Sequence, residues 1–341
     1  MDVTVERTAA VRRWLLVVFW AIVLMVAIGG TTRLTGSGLS ITEWQPFRGA
    51  LPPLNEADWQ LLFDKYKTSP QFTQVNAWMT LADFERIFWW EWIHRQWGRF
   101  IGLLFFVPWV YFMVRGHLQG PWRLRTAIAF MLGGAQGALG WFMVASGLVD
   151  EPRVSHYRLT AHLMLAFFVA QYVLWLWQGL GPQPPGPPPD RSVARRAWGV
   201  VALVTVQCTY GALLAGTRGG WLFPTFPDFN GAWIPPNAGT LSPFWRDVLD
   251  NPETVNLIHR VLGLLTLGAI FDLWRLCRRH VEAGVRRRSL DVVLGLALCQ
   301  VTLGIVTVMT HMQLHAAVTH QVGGLLLLSA ACLFAFRVRT T

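Results

Sequence analysis

The chain has 341 residues, 53% hydrophobic and 14% charged, against roughly 25% charged in a soluble domain. That composition excludes a soluble globule and predicts an integral membrane protein. A formal charge of +10 suggests nucleic acid only in a soluble domain; here the basic residues lie between apolar runs, so topology accounts for them and no nucleic-acid partner is expected.

In chain order, Asp2 and Glu6 precede Arg12, Arg13 and an apolar run from Trp14 to Gly29. The run is too long for a cleaved signal and no small-residue cleavage site ends it, while Asp2, Glu6 and the near absence of any leader before Trp14 argue against a transit peptide, so it reads as a retained first span. A bacterial plasma (inner) membrane is the expected location. Residues 31–90 form a long polar segment of mixed charge. Within it, Asn55 followed by Glu56 and Asp58 predicts a helix start, with Trp59, Leu61, Leu62 and Phe63 expected on the membrane surface. Thr80 with Asp83 predicts a second helix start, outside the bilayer. Seven further spans are expected at about Gly98 to Val114, Trp122 to Val144, Leu159 to Trp177, Trp198 to Gly216, Leu257 to Leu276, Val292 to Met309 and Ala316 to Phe336. The proline-rich spacer from Gly181 to Pro189 cannot be helical and divides them.

Half a chain apart, the pattern repeats. Glu91-Trp92-Ile93-His94-Arg95 reappears as Asn256-Leu257-Ile258-His259-Arg260, with the two histidines 165 residues apart. Gln136 and Gln300, each followed by Leu-Gly (Leu139-Gly140, Leu303-Gly304), are 164 apart, and His162 and His320 are 158 apart. The expected fold is therefore an all-α integral membrane protein, eight transmembrane helices arranged as two duplicated four-helix bundles. Residues 1–180 form the N-terminal half, 181–197 the linker and 198–341 the C-terminal half. Each half reads as carrying two intramembrane histidines and one glutamine.

Arginines concentrate in alternate loops: Arg115, Arg123 and Arg125, then Arg191, Arg195 and Arg196, then Arg275 to Arg288, then Arg337 and Arg339. The positive-inside rule makes these loops and both termini cytoplasmic. At ~1.5 Å per helical residue, His94, His162, His259 and His320 then all lie near the outer edge of the bilayer, on the second and fourth spans of each half.

Ionisable residues inside spans are costly and usually functional, and four histidines at matching depth point to ligation. Zinc or iron sites usually recruit carboxylates or cysteines. The only acid nearby is Glu91, and Cys208, Cys277, Cys299 and Cys332 lie within or beside apolar runs without CxxC spacing, which argues against a disulfide framework or zinc site. Paired histidines on antiparallel helices suit a bis-imidazole heme, one pocket per half: His94 with His162, and His259 with His320. The 19 tryptophans either line a flat cofactor or face lipid. Arg95 and Arg260 either pair with heme propionates or anchor helices at the head groups, and Arg33 and Arg218 offer the same choice. His117 and His280 read as solvated; His156, His311 and His315 fall outside the repeat.

These residues together resemble the heme A synthase family. The likeness spans nearly the whole chain: eight spans, the Glu91-to-Arg95 opening, His259-Arg260, His162 and His320. Lacking a cysteine pair in its outer loops, the chain resembles the subgroup found in alphaproteobacteria and mitochondria. The resemblance implies oxidation of a ring methyl of heme O, through an alcohol and a hydrated aldehyde, to the formyl group of heme A for cytochrome oxidase assembly. It also implies a resident heme b, an external electron donor, and hand-over involving heme O synthase or oxidase assembly factors. The resemblance also implies a division of labour between the halves, and the repeat gives an independent reason for it. Glu91 aligns with Asn256 and lies one turn from His94, so only the first pocket has an acid for proton handling. His94 and His162 are assigned to the substrate heme O, Glu91 to catalysis, and His259 and His320 to heme b. A dihemic cytochrome b and a transporter are the rival readings; the first predicts equivalent pockets, the second sites at mid-membrane.

Overall fold

A bilayer offers the backbone no water to bond, so apolar spans close their hydrogen bonds within helices. The computed structural model describes residues 3–45, 48–182, 191–280 and 284–338. Arg339 and most of the proline-rich spacer, used in the sequence reading above, lie outside them.

The described chain is helical, without a strand: α1 (Val3–Leu34), α2 (Glu56–Lys67), α3 (Leu81–Val114), α4 (Pro121–Ala145), α5 (His156–Gly179), α6 (Arg191–Gly216), α7 (Phe244–Asp250), α8 (Pro252–His280), α9 (Val285–Met309) and α10 (Leu314–Arg337). Among the described residues, eight are long and apolar enough to cross a membrane: all except α2 and α7. Every predicted span falls within one of them, and the protein is a multi-pass membrane protein.

Both predicted helix starts are present. Asn55 accepts a hydrogen bond from the Asp58 backbone N–H at 2.8 Å, and Thr80 and Asp83 cap each other reciprocally. Such caps contribute about 1 kcal/mol each. Starting at Leu81 gives α3 34 residues, or ~51 Å at 1.5 Å per residue, well beyond a ~30 Å hydrocarbon core. Its first turns are therefore free to pack on α2. That packing corrects the expected place of α2: Phe63 and Tyr66 are buried against Phe84, Ile87 and Phe88, with Trp59 and Leu62 against the same cluster. Of the four residues expected on the membrane surface, Leu61 alone is exposed.

Contacts divide the chain into two units, Met1–Val169 and Ala170–Thr341. In the first, indole N–H groups tie helices together: Trp14 donates to the Leu104 carbonyl at 3.0 Å and Trp97 to the Ala21 carbonyl at 2.9 Å, joining α1 to α3. Trp109 donates to the Thr126 hydroxyl at 3.0 Å, joining α3 to α4. Satisfying each indole donor inside the protein avoids leaving it bare in hydrocarbon. These three tryptophans are thus helix-to-helix ties, a role outside both earlier readings. In the second unit α6 packs on α8 and α9 on α10. The loop before α8 is organised by buried Asp247, which accepts from the Gly239 and Leu241 backbone N–H groups, the Asn251 amide and the Thr254 hydroxyl.

Candidate functional site

Spacing along the helices decides where the histidines meet. In the second unit His259 on α8 and His320 on α10 face each other, ring centroids 6.4 Å apart and planes perpendicular. A metal–imidazole bond is ~2 Å and a ring nitrogen lies ~1 Å from its centroid, so an ion held axially between two imidazoles sets the centroids ~6 Å apart. Each ring also lies against a glycine of the neighbouring helix. A Cβ on Gly211 of α6 would meet His259 Cε1 at 3.0 Å, and one on Gly304 of α9 would meet His320 Cε1 at 3.0 Å. Small residues let helix backbones approach closely; here the space goes to an imidazole.

Four residues before each glycine stands a glutamine. Gln207 donates to the His259 carbonyl at 3.0 Å, with its amide nitrogen 3.2 Å from Nδ1. Gln300 donates to the His320 carbonyl at 2.7 Å. Gln300 Oε1 and His320 Nδ1 are each buried without a hydrogen-bond partner among the described residues.

The first unit repeats this on α5. His162 lies against Gly140 of α4, whose Cβ would come within 2.8 Å of Cε1, and Gln136 donates to the His162 carbonyl at 2.9 Å. His94 on α3 lies against Gly29 of α1, 3.1 Å from the Cβ position to Nε2, but four residues earlier stands Met25. All four histidines are only partly buried. Among the described residues no group of three or more His, Cys, Asp or Glu side chains gathers to hold a metal. Two histidines per site suit a group that brings its own equatorial nitrogens, as heme does.

Gln136 and Gln300 were legible in the repeat; Gln207 and Gly211 were not, so in the second unit two glutamines rather than one donate to a histidine carbonyl. The missed signal was Gln-x-x-x-Gly inside an apolar span, at 136–140, 207–211 and 300–304; a fourth copy, at 45–49, lies in the polar segment.

One turn before His94, Glu91 is buried, 2% exposed, and its carboxylate is saturated. Oε1 accepts from Arg95 Nη2 at 2.6 Å and Nε at 3.1 Å; Oε2 accepts from the Ser40 hydroxyl at 2.7 Å and the Ile41 N–H at 2.8 Å. Arg95 also donates to the carbonyls of Ile41 and Glu43. Lys65 pairs with Glu43 at 2.8 Å, and that hydrogen bond holds the Glu43 carboxyl below its ordinary value. The pair thus fastens the 40–43 loop to α3. Asn256 and Arg260 do the same on α8: Arg260 donates to Asn256 Oδ1 and to the carbonyls of Phe223, Thr225 and Asp228, while Asn256 donates to the Gly219 carbonyl. These bonds occupy four N–H positions in each guanidinium, leaving one for any propionate.

A cavity of about 300 Å³ lies between this loop, α2 and α3, lined among others by Glu43, Lys65, Trp92, Arg95 and Arg99; none of the four histidines lines it. His117, expected in solvent, stacks on Phe112 with centroids 5.4 Å apart. His311 and His315 are exposed, His156 packs on Tyr157, and the His280 side chain lies outside the described residues.

Residues 12–332 match a family described as cytochrome oxidase assembly protein. A heme A synthase from Brucella anthropi is 42% identical over 325 residues, 94% of this chain and 90% of its own length. Heme A synthases from Brucella ovis and Brucella suis are also 42% identical, over 94% of this chain and 89% of theirs.

Proposed function

The chain belongs to the heme A synthase family of cytochrome oxidase assembly proteins, and from that premise we propose how its two histidine pairs divide the work. It is an oxidoreductase of the membrane that converts heme O to heme A, which sets aside the electron-carrier and transporter readings. His94 and His162, in the half formed by residues 1–180, bind and orient heme O. His259 and His320, in residues 198–341, hold a resident heme b. The observation that carries the second assignment is the perpendicular His259–His320 pair at 6.4 Å. Heme b, if held there by His259 and His320, would supply one-electron transfer.

Around the substrate, the apolar faces of α1, α3, α4 and α5 exclude bulk water. Glu91 is the acid of this half, proposed to take up the protons that oxidation of the methyl group releases. Its four donors favour a second reading, in which Glu91 fastens the 40–43 loop to α3. The two differ in whether removing the charge stops chemistry or only loosens binding. Arg95 and Arg260 each have one N–H left with which to meet a propionate.

Arginine distribution supports a plasma-membrane orientation with both termini cytoplasmic and the histidines toward the outer side. The hydrophobicity and reactivity of heme A support direct hand-over to an oxidase assembly factor, with heme O supplied by its synthase. Expression in cells able or unable to make heme O, followed by extraction and chromatography, tests the activity. Heme A is expected only with heme O present; its absence in both, with the protein folded, contradicts the proposal.

A further inference from the structure

Each histidine-bearing helix is met by a partner helix that carries a four-residue spacing. Gln136 and Gly140 on α4 face His162; Gln207 and Gly211 on α6 face His259; Gln300 and Gly304 on α9 face His320. On α1 the same spacing reads Met25 and Gly29, facing His94. Met25 also occupies the same notch. Its Cε lies 3.5 Å from the Cβ position of Gly98, four residues after His94, just as Gln207 Nε2 lies 3.2 Å from that of Gly263, four residues after His259. A thioether fills the space but donates no hydrogen bond. Among the described residues neither the His94 ring nor its carbonyl receives a side-chain hydrogen bond, whereas the carbonyl of each of the other three histidines receives one from its glutamine, the His320 Nδ1 itself having no partner.

We propose that His94 is the exchangeable axial ligand of the substrate pocket, and that Gln136, Gln207 and Gln300 are positioning residues that keep the other three histidines in place. This rests on the assignment of one heme to each histidine pair. A ligand held by its neighbours through a second layer of hydrogen bonds returns to the metal in one orientation; a ligand without them swings away at smaller penalty. The pocket with two fixed histidines retains its heme. The pocket with one fixed and one free histidine lets heme O enter, keeps it oriented through His162, and releases the product when His94 lets go. The exchange breaks one iron–nitrogen bond and leaves the imidazole neutral, so no electron or proton is needed.

The probe is carbon monoxide on the reduced, full-length protein purified from cells that supply heme O. Carbon monoxide is expected to replace His94 on the heme O fraction, while the heme b spectrum stays low-spin. Met25→Gln supplies the missing donor and should weaken carbon monoxide binding by a factor of roughly 2 to 12, the equilibrium equivalent of one neutral hydrogen bond. Gln207→Leu should shift the heme b midpoint potential and open that heme to carbon monoxide. Carbon monoxide binding to heme b in the unaltered protein, binding to neither heme, or an unchanged affinity in Met25→Gln would overturn the inference while leaving the pocket assignment standing. Absence of any low-spin bis-histidine spectrum before carbon monoxide is added would remove the pocket assignment and this inference with it.

Discussion

Glu91 and Arg95, one turn apart on α3, share a single carboxylate oxygen through two hydrogen bonds of 2.6 and 3.1 Å. The corresponding pair on α8, Asn256 and Arg260, keeps one of these bonds, at 2.9 Å, without the charge. The halves therefore share a loop clamp and differ in one ionisable group.

Glu91→Gln tests what that difference is for. If the acid handles protons, the variant retains both hemes but accumulates heme O or the alcohol, with a rate loss of ~10²–10⁴-fold. Chromatography of extracted hemes reads the result. Near-normal production of heme A leaves Glu91 as the clamp of the 40–43 loop.

The glycine contacts make a paired prediction on one helix. Gly304→Ala places a methyl 3.0 Å from His320 Cε1, whereas Gly295, also on α9, has nothing within 4 Å of its Cβ position. Gly304→Ala should displace the imidazole and lower heme b retention, read from the absorbance ratio of heme to protein. Gly295→Ala should leave the spectrum unchanged and stabilise α9 by up to about 1 kcal/mol. Equal behaviour of the two variants would show that the ring does not depend on Gly304.

How much of this was legible in the sequence depends on how local the signal is. The starts of α2 and α3 were readable because Asn55 and Thr80 act within one turn of themselves. Gln136 and Gln300 were readable because the repeat keeps nearly one offset from α3 to α8 and from α4 to α9. Gln207 was missed because Gly29 and Gly211 are 182 residues apart, not 165: the connection from α1 to α3 is longer than that from α6 to α8, so the offset fails for these two helices. The burial of Trp59, Leu62 and Phe63 depends on α3 extending far enough to meet α2. The partners of Arg95 and Arg260 are loop carbonyls whose positions follow from the folded path of each loop, which composition does not encode.

Asp247 gives a pH prediction outside the spans. Burial raises its pKa, but the hydrogen bonds from Leu241, Asn251, Thr254 and Gly239 together outweigh burial and bring it below the ordinary carboxyl value. A depressed folded pKa contributes stability that is fully present above the unfolded value of ~3.9 and is lost as pH falls through the folded value. The loop before α8 should therefore stay protected from proteolysis at neutral pH and open in strong acid. Asp247→Asn should open it at neutral pH, with a loss of about 1–3 kcal/mol for the unsatisfied donors. A cleavage pattern unchanged by the substitution would contradict this account of the loop.

Orientation has its own check. A reporter fused after Arg339 should be cytoplasmic and one inserted near Thr68 should be external, as the arginine distribution requires. An internal Thr68 would place the histidines on the cytoplasmic side.

The central claim is that the two histidine pairs hold different hemes, and the most direct measurement is the heme content of single-histidine variants made in cells that supply heme O. His94→Ala and His162→Ala are predicted to lose heme O and heme A while keeping heme b. His259→Ala and His320→Ala are predicted to lose heme b and make no heme A, while still retaining heme O. The reverse pattern, or a low-spin heme b spectrum unchanged in His259→Ala or His320→Ala, would contradict the assignment.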